Sequence, residues 1–423
     1  MKEIEEYASA LECLYGSDAP AQRGRYRLLM DSFRELFGTE GREPRLFSAP
    51  GRSEIIGNHT DHQHGRVVAA AINLDAIAAA AKREDGVICI QSKGYPMDRV
   101  DLAQLDPLEQ EVGASAALIR GMAAELKRRG YSVGGFDAYT TSQVLKGSGL
   151  SSSAAFEVLV GAIINGLYNE GRISPQELAM TAREVENRYF GKPSGLMDQM
   201  ASAVGGLVAI DFRDANAPLI EPIDCDFSDS GYALCVVDTG GDHASLTASY
   251  AAIAEEMKMV ARQMEKPCLR EVDPDELYAS LGKLRRVCGD RALLRACHFV
   301  EENERAGALR DALEAGDYRA FKQLILQSGR SSFEYLQNVI SPGNAQEQGL
   351  SLALLISERL LSGRGAWRVH GGGFAGTIQA FVPEDMLDGY RVEMESIFGE
   401  GSCYVLRVRQ TGAVELKPDN VDN

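Results

Sequence analysis

The sequence predicts an α+β fold in two lobes, and three observations carry that prediction. Strand-like apolar runs and helix-length runs mix along the chain without the strict alternation that a parallel sheet with crossover helices requires. The 423 residues exceed the ~150 usual for a single domain. The stretch least like any motif, "DFRDANAPLIEP" at 211–222, lies near the midpoint, which gives expected domains of 1–212 and 213–423.

The elements follow in order. Residues 1–44 read as helical and polar, closing on "FGTEGREP". "RLFSAPGR" and "GRVVAAAINLDAIAAAAKRE" read as strands, the second with a run of small residues suited to tight burial. "GVICIQS" is a further short strand, and Gly86 before it predicts a hairpin turn. Residues 109–129 predict a helix with basic residues in its last turn and Gly130 as its stop. "GGFDAYTTSQV" alternates as a strand, and an apolar helix follows over Phe156–Leu167. Ser174, Pro175 and Glu177 supply an N-cap, a first-turn proline and a capping-box partner for the next helix. "GGLVAIDFR" and "YALCVVDTG" are short strands, residues 243–335 are mainly helical, and "WRVHGGGFAGTIQAFVP" reads as strand, turn and strand. A helix over "EDMLDGYRVEMESIF" and a strand over "CYVLRV" close the pattern.

Composition narrows the function. Apolar residues at 45% and charged residues at 25% are those of an ordinary soluble protein. A net charge of −17 repels phosphate backbones and anionic lipid, so nucleic-acid and membrane partners are not expected. An anionic ligand would need a locally built site. The eight cysteines are scattered without a C-x-x-C pair, the chain opens on a polar segment, and no run of ~18 apolar residues occurs. The expectation is a reduced, cytoplasmic, monomeric protein.

Three glycine-bounded stretches carry the chemistry. "KGSGLSSSAAF" (146–156) lies between a predicted strand and a predicted apolar helix, with its serines at the helix start. Helix N-termini expose unpaired N–H groups and the positive dipole end, so such a loop can hold phosphate. Its composition alone is also that of an ordinary turn, and neither a Walker loop nor an early G-x-G-x-x-G is present. "APGRSEIIGNHTDHQHG" (49–65) gathers an arginine, acidic residues and three histidines into a glycine-bounded loop, and "VHGGGFAG" (369–376) sets three glycines between strands. The histidine cluster has the residue types of a zinc site but not the helical H-x-x-x-H spacing.

In this order the three stretches resemble the motifs of the GHMP kinase superfamily. "PGRSEIIGNHTDHQHG" is similar to the galactokinase form P-G-R-V-N-L-I-G-E-H-T-D-Y-x-G-G, and "GLMDQMAS" resembles a fourth family stretch. The resemblance spans residues 45 to 408. It implies a two-lobed GHMP kinase fold with the active site in the cleft between an N-terminal and a C-terminal domain, and an ATP-dependent sugar 1-kinase acting on galactose or a close relative.

The resemblance also implies site residues. Gly147, Ser148, Gly149, Leu150, Ser151, Ser152, Ser153 and Ala154 would cradle the nucleotide phosphates, while Ser153 and Glu186 would hold Mg²⁺. A hydroxyl plus one carboxylate suits that ion, with water and phosphate oxygens completing its shell. Asp198 would be the base and Arg52 the cation beside it. Asn58, His59, Asp61, Gly195 and Tyr250 would meet the sugar, although a lone helical tyrosine is as readily a core residue.

Several positions depart from the family. "SAALIRG" (115–121) lacks the W-x-N-Y-V-K-G residues usual on the adenine side, Leu145 replaces a proline, and His62 and His64 stand where tyrosine and often glycine are found. Asn58 replaces a glutamate that bonds the outer sugar hydroxyls, which points to a galactose-configured substrate altered near C6 or C2. Galacturonate, fucose or N-acetylgalactosamine kinase activity is therefore an alternative, as is a non-catalytic sugar sensor. The complete "GSGLSSSAA" with Asp198 and Arg52 favours an enzyme. His59 and Asp61 argue against the sister kinases of mevalonate or homoserine.

Overall fold

The computed structural model describes residues 3–38, 42–144, 149–192, 194–214, 217–241, 246–343 and 345–419. Gly147 and Ser148 of the predicted phosphate loop lie outside the described residues.

Two N-terminal helices, α1 (Ala8–Tyr15) and α2 (Ala19–Phe37), precede β1 (Arg45–Ile56) and β2 (Arg66–Lys82), which pair antiparallel over most of their length. Next come β3 (Val87–Ser92), β4 (Met97–Asp101), α3 (Ser115–Arg128) and β5 (Phe136–Ser142). Then follow α4 (Ser152–Asn169), α5 (Pro175–Val185), α6 (Met197–Val204), β6 (Leu207–Asp211) and β7 (Leu219–Ile223). The remaining chain runs β8 (Tyr232–Asp238), α7 (Thr247–Gln263), α8 (Pro274–Cys288), α9 (Asp290–Glu314), α10 (Tyr318–Ser331) and α11 (Gly349–Leu361). It ends with β9 (Ala366–Val369), β10 (Thr377–Pro383), α12 (Leu387–Phe398), β11 (Cys403–Leu406) and β12 (Val414–Leu416).

The large sheet has the order β12-β1-β2-β5-β3-β4, with β6 on the first half of β2 and β7 on β6. The small sheet runs β11-β8-β10-β9, all antiparallel. The small-residue run in β2 is buried on both faces. Ile77, Ala79 and Ala81 face α1 and α2, whereas Ala76, Ala78 and Ala80 face the core shared with α3–α6. A strand buried on both sides reads as continuously apolar, as this one does.

Three sequence expectations change. Gly86 does sit in a turn at φ +69°, but β2 and β3 are not a hairpin: β5 lies between them, antiparallel to β2 and parallel to β3. The edge of β2 over Ala76–Lys82 is already occupied by β5, and local turn chemistry carries no information about that. The helix expected over 109–129 is α3 alone, preceded by a short 3₁₀ turn at Glu109–Glu111. Arg52 and Glu54 belong to β1, so the expected loop 49–65 shortens to 57–65.

The large sheet does not stop at residue 212. It continues into β7 and recovers β12 from the far end of the chain, and one apolar core takes in Leu234, Val236 and Phe381 of the small sheet with the α4 side of the large one. The capping box at Ser174 is formed, with Ser174 Oγ accepting from the Glu177 amide at 3.2 Å.

Candidate active site

A cleft of about 580 Å³ opens between the two sheets, lined by Arg52, Glu54, Asn58, His59, Asp61 and His62. Gly195, Leu196, Tyr250, Gly371 and Gly372 complete the lining. Of the predicted residues, Arg52, Asn58, His59, Asp61, Gly195 and Tyr250 line it, and Asp198 is joined to it through its bond to Arg52.

Asp198 stands in the first turn of α6 with its side chain 30% exposed. Its Oδ1 accepts from Arg52 Nε at 2.8 Å and from a second guanidinium nitrogen at 2.7 Å, while Oδ2 accepts from the Ser151 hydroxyl. Burial works to raise this carboxyl, but the Arg52 charge and the Ser151 bond outweigh it and hold Asp198 below the usual carboxylate range. Arg52, nearly buried on β1, also donates to the Gly149 carbonyl. One guanidinium thus ties the candidate base to the start of the serine loop.

Ser151 is the N-cap of α4, held at φ +59°, and Ser152 and Ser153 begin the helix. Leu150 is buried and Gly149 is exposed beside them, and Ala154 packs in the first turn. Ser153 Oγ lies 3.4 Å from Glu186 Oε1. Glu186 is not a solvated helix residue: it is 2% exposed and opens a π-helical segment, Glu186–Phe190, that continues α5. Such segments are rare and concentrate at functional sites. Lys192 Nζ donates to Glu186 Oε1 at 2.9 Å and Gln199 Nε2 to Oε2 at 2.7 Å. Among the described residues no group of three or more His, Cys, Asp or Glu is arranged to hold a metal ion. Ser153 and Glu186 do form a hydroxyl–carboxylate pair at the foot of the phosphate loop, a donor set that suits an ion held chiefly by phosphate and water.

The loop 57–65 is anchored from α9. Glu302 Oε1 accepts the amides of Gly57 and Asn58 at 3.1 and 3.3 Å, and His298 Nε2 contacts the Asn58 carbonyl at 3.0 Å. A carbonyl only accepts, so Nε2 carries the proton and Nδ1 accepts from Ser331 Oγ at 2.9 Å. Burial lowers His298 to about 4 and keeps it neutral. His62 is likewise lowered to about 4, mainly by burial.

His59 donates from Nε2 to the Gly372 carbonyl at 3.0 Å and stacks on the Tyr250 ring at 6.4 Å between centroids. Tyr250 donates its hydroxyl to the Gly373 carbonyl at 2.9 Å. Asp61 Oδ2 lies so near that a Cβ on Gly195 would meet it at 2.7 Å and would have to displace the carboxylate. Asn58, fully buried, donates from Nδ2 to Glu54 Oε1 at 3.1 Å and to the Gly371 carbonyl at 2.6 Å. Its Oδ1 accepts from Asn338 Nδ2 at 2.7 Å and from Ser332 Oγ at 3.4 Å.

Comparison with known proteins bears on this geometry. A model described as the galactokinase galactose-binding signature matches residues 31–82, and the GHMP kinase N-terminal domain matches residues 117–206. A galactokinase from Streptomyces coelicolor is 32% identical over 381 residues, covering 89% of this chain and 94% of that protein. The chain belongs to the galactokinase family. The solved galactokinase of Lactococcus lactis in complex with galactose aligns with a TM-score of 0.77 at 26% identity, covering 93% of this chain and all of that one. A mevalonate kinase aligns at 0.62 and 15% identity over 86% of this chain, which marks the shared GHMP fold alone. Within the family the two matched segments contain β1, the 57–65 loop, α4 and α6, the elements that converge on Asp198.

Sequence reasoning did not find Glu54, His298, Glu302, Asn338 or Arg368. Each is buried and acts on the 57–65 loop or on β1. Their only local signal was a polar residue inside an apolar pattern, because their bonds to β1 and the 57–65 loop span more than 200 residues, apart from the Glu54–Asn58 contact.

Proposed function

We propose that this cleft transfers the γ-phosphoryl group of ATP to the C1 hydroxyl of galactose, giving galactose 1-phosphate and ADP. The observation that carries the reading is Asp198: a partly exposed carboxylate next to the cleft-lining Met197, fixed on one oxygen by Arg52, which lines the cleft, and on the other by Ser151 of the phosphate loop.

In this reading Asp198 accepts the proton as the C1 oxygen bonds to the γ-phosphorus and the bond from that phosphorus to the bridging oxygen breaks, the electrons leaving on ADP. Arg52 keeps Asp198 ionised and directs its remaining charge towards the transferring group. The N-terminus of α4, with Ser151, Ser152 and Ser153, holds the phosphates against its unpaired N–H groups. Ser153 and Glu186 would hold Mg²⁺, which supplies charge neutralisation on the phosphate oxygens. His59, Asp61 and the Gly195 backbone orient the sugar, with Tyr250 beneath its ring. We further infer two lobes that meet at this cleft, the first comprising the large sheet with β7 and β12, and a single chain as the working unit. The test is ADP release against a panel of sugars. Turnover led by galactose is expected, and release no faster than the sugar-free background with every sugar would overturn the kinase reading.

A further inference from the structure

We propose that Glu54, and not residue 58, is the carboxylate that meets the outer hydroxyls of the sugar, the two side chains having exchanged places. The inference rests on the galactokinase reading of the cleft and deepens it.

Four observations converge. The amide of Asn58 is saturated: both Nδ2 hydrogens and both Oδ1 acceptor sites are engaged by protein groups, which leaves nothing for a ligand. Glu54 lines the same cleft four residues earlier, on β1, and its Oε1 takes the Asn58 bond at 3.1 Å and Arg368 at 3.0 Å. Its Oε2 has no hydrogen bond from the described residues. Arg368 is fully buried, and it matches the Glu54 charge from the β9 side while donating to the Ile55 carbonyl at 2.7 Å. Finally, the motif form P-G-R-V-N-L-I-G-E has the amide at the position of residue 54 and the carboxylate at that of residue 58, the reverse of this chain. The two reciprocal changes fall on residues whose side chains touch each other in this chain.

The chemical consequence concerns specificity. A carboxylate acceptor is still delivered to the cleft, so a neutral hydroxyl is held and an anionic substituent such as the galacturonate carboxylate is repelled. Loss of charge at position 58 alone therefore does not predict an altered sugar.

The test measures dissociation constants by calorimetry, without nucleotide, and turnover separately. The ligands are galactose, its 2-, 3-, 4- and 6-deoxy forms and galacturonate. The proteins are wild type, Glu54→Gln, Asn58→Glu and the double exchange Glu54→Asn/Asn58→Glu. Glu54→Gln is expected to weaken galactose about 10- to 100-fold, the range for a hydrogen bond to a charged group. One deoxy sugar, the one lacking the contacted hydroxyl, should bind wild type and variant alike. Asn58→Glu sets two carboxylates side by side and should lose a similar factor, and the double exchange should recover galactose affinity to within about threefold. If Glu54→Gln does not fold, recovery in the double exchange still decides the matter. Equal weakening of every sugar, or no weakening, or a double exchange no better than its worse single, overturns the proposal. Turnover without this pattern sinks the exchange and spares the kinase reading, whereas the binding pattern without turnover does the reverse.

Discussion

Replacing Asp198 by asparagine isolates proton acceptance from placement. The asparagine keeps one acceptor oxygen at nearly the same position, so Arg52 or Ser151 retains a partner, but the negative charge and the basicity go. A general base contributes about 10²–10⁴-fold, and kcat should fall by that factor. Structural loss has to be weighed beside it. The Arg52 side chain is 9% exposed and Asp198 30%, so the pair is partly desolvated. Breaking a fully buried pair from one side costs about 3–5 kcal/mol, but here the cleft solvates one partner and one hydrogen bond survives, so about 1–3 kcal/mol is expected. A fold of ordinary stability tolerates that loss. The assay is single-turnover ADP formation with a Tm for each protein and a nucleotide titration. A folded Asp198→Asn enzyme that binds nucleotide like wild type but turns over at more than about a tenth of its rate would remove Asp198 from the role of base. Since Arg52 and Ser151 hold this carboxyl below the usual range, kcat should show no acid limb from Asp198 above about pH 4.

Three further outcomes follow from other buried groups. Activity should require Mg²⁺ or Mn²⁺ and survive a zinc-selective chelator, and Glu186→Gln should raise the Mg²⁺ concentration for half activity at least tenfold, read by metal titration. His298, lowered from 6.5 to about 4, binds fewer protons folded than unfolded, so its stabilisation is present above about pH 6.5 and is lost as the pH falls towards 4; acid unfolding of wild type should steepen there by on the order of 3 kcal/mol, and His298→Gln should lose that dependence. Glu157 is fully buried, and burial, with Glu186 second, raises its carboxyl well above the usual range, so it is protonated in the fold and destabilises as the pH rises through the unfolded carboxylate range. Glu157→Gln should then raise Tm at pH 8 and change it little at pH 4; the same gain at both would refute this.

How much of this was legible depends on whether a residue's reason is local. Ser174 and Glu177 form their capping box three residues apart, and the composition alone announced it. The serine loop was legible because a helix N-terminus with glycine before it leaves a trace in composition. The α3 boundary was not: its N-cap is Ala114, which makes no side-chain cap bond, so nothing marks the start at Ser115. Glu186 was harder. Helical periodicity already places it on the inner stripe, four residues after Ala182 and seven after Ala179, but a lone glutamate on that stripe does not reveal that Ser153, Lys192 and Gln199 are its partners. The β2–β5–β3 order escaped for another reason, since strand adjacency is decided by which edge is free and not by the turn that follows a strand.

The glycine triplet shows the limit most clearly, because its composition left open what approaches it. Three glycines between strands suggested the close approach of a backbone or a ligand, without saying which. What approaches them is protein: Gly371, Gly372 and Gly373 present a row of carbonyls that accept from Asn58, His59 and Tyr250 in turn. A Cβ on Gly372 would meet the Tyr250 ring at 2.6 Å, so any side chain there must push the ring aside. The triplet therefore positions the groups that border the cleft, and Gly372→Ala should act through them. Moving the Tyr250 ring from 2.6 Å out to ordinary contact distance, and His59 with it, loosens the sugar but leaves Arg52, Asp198 and the serine loop in place. KM for the sugar should rise about tenfold or more while nucleotide affinity holds, because near-attack placement is sensitive to small displacements. Equal losses in sugar and nucleotide binding would mean that the triplet serves the phosphates directly, and this account of it would fail.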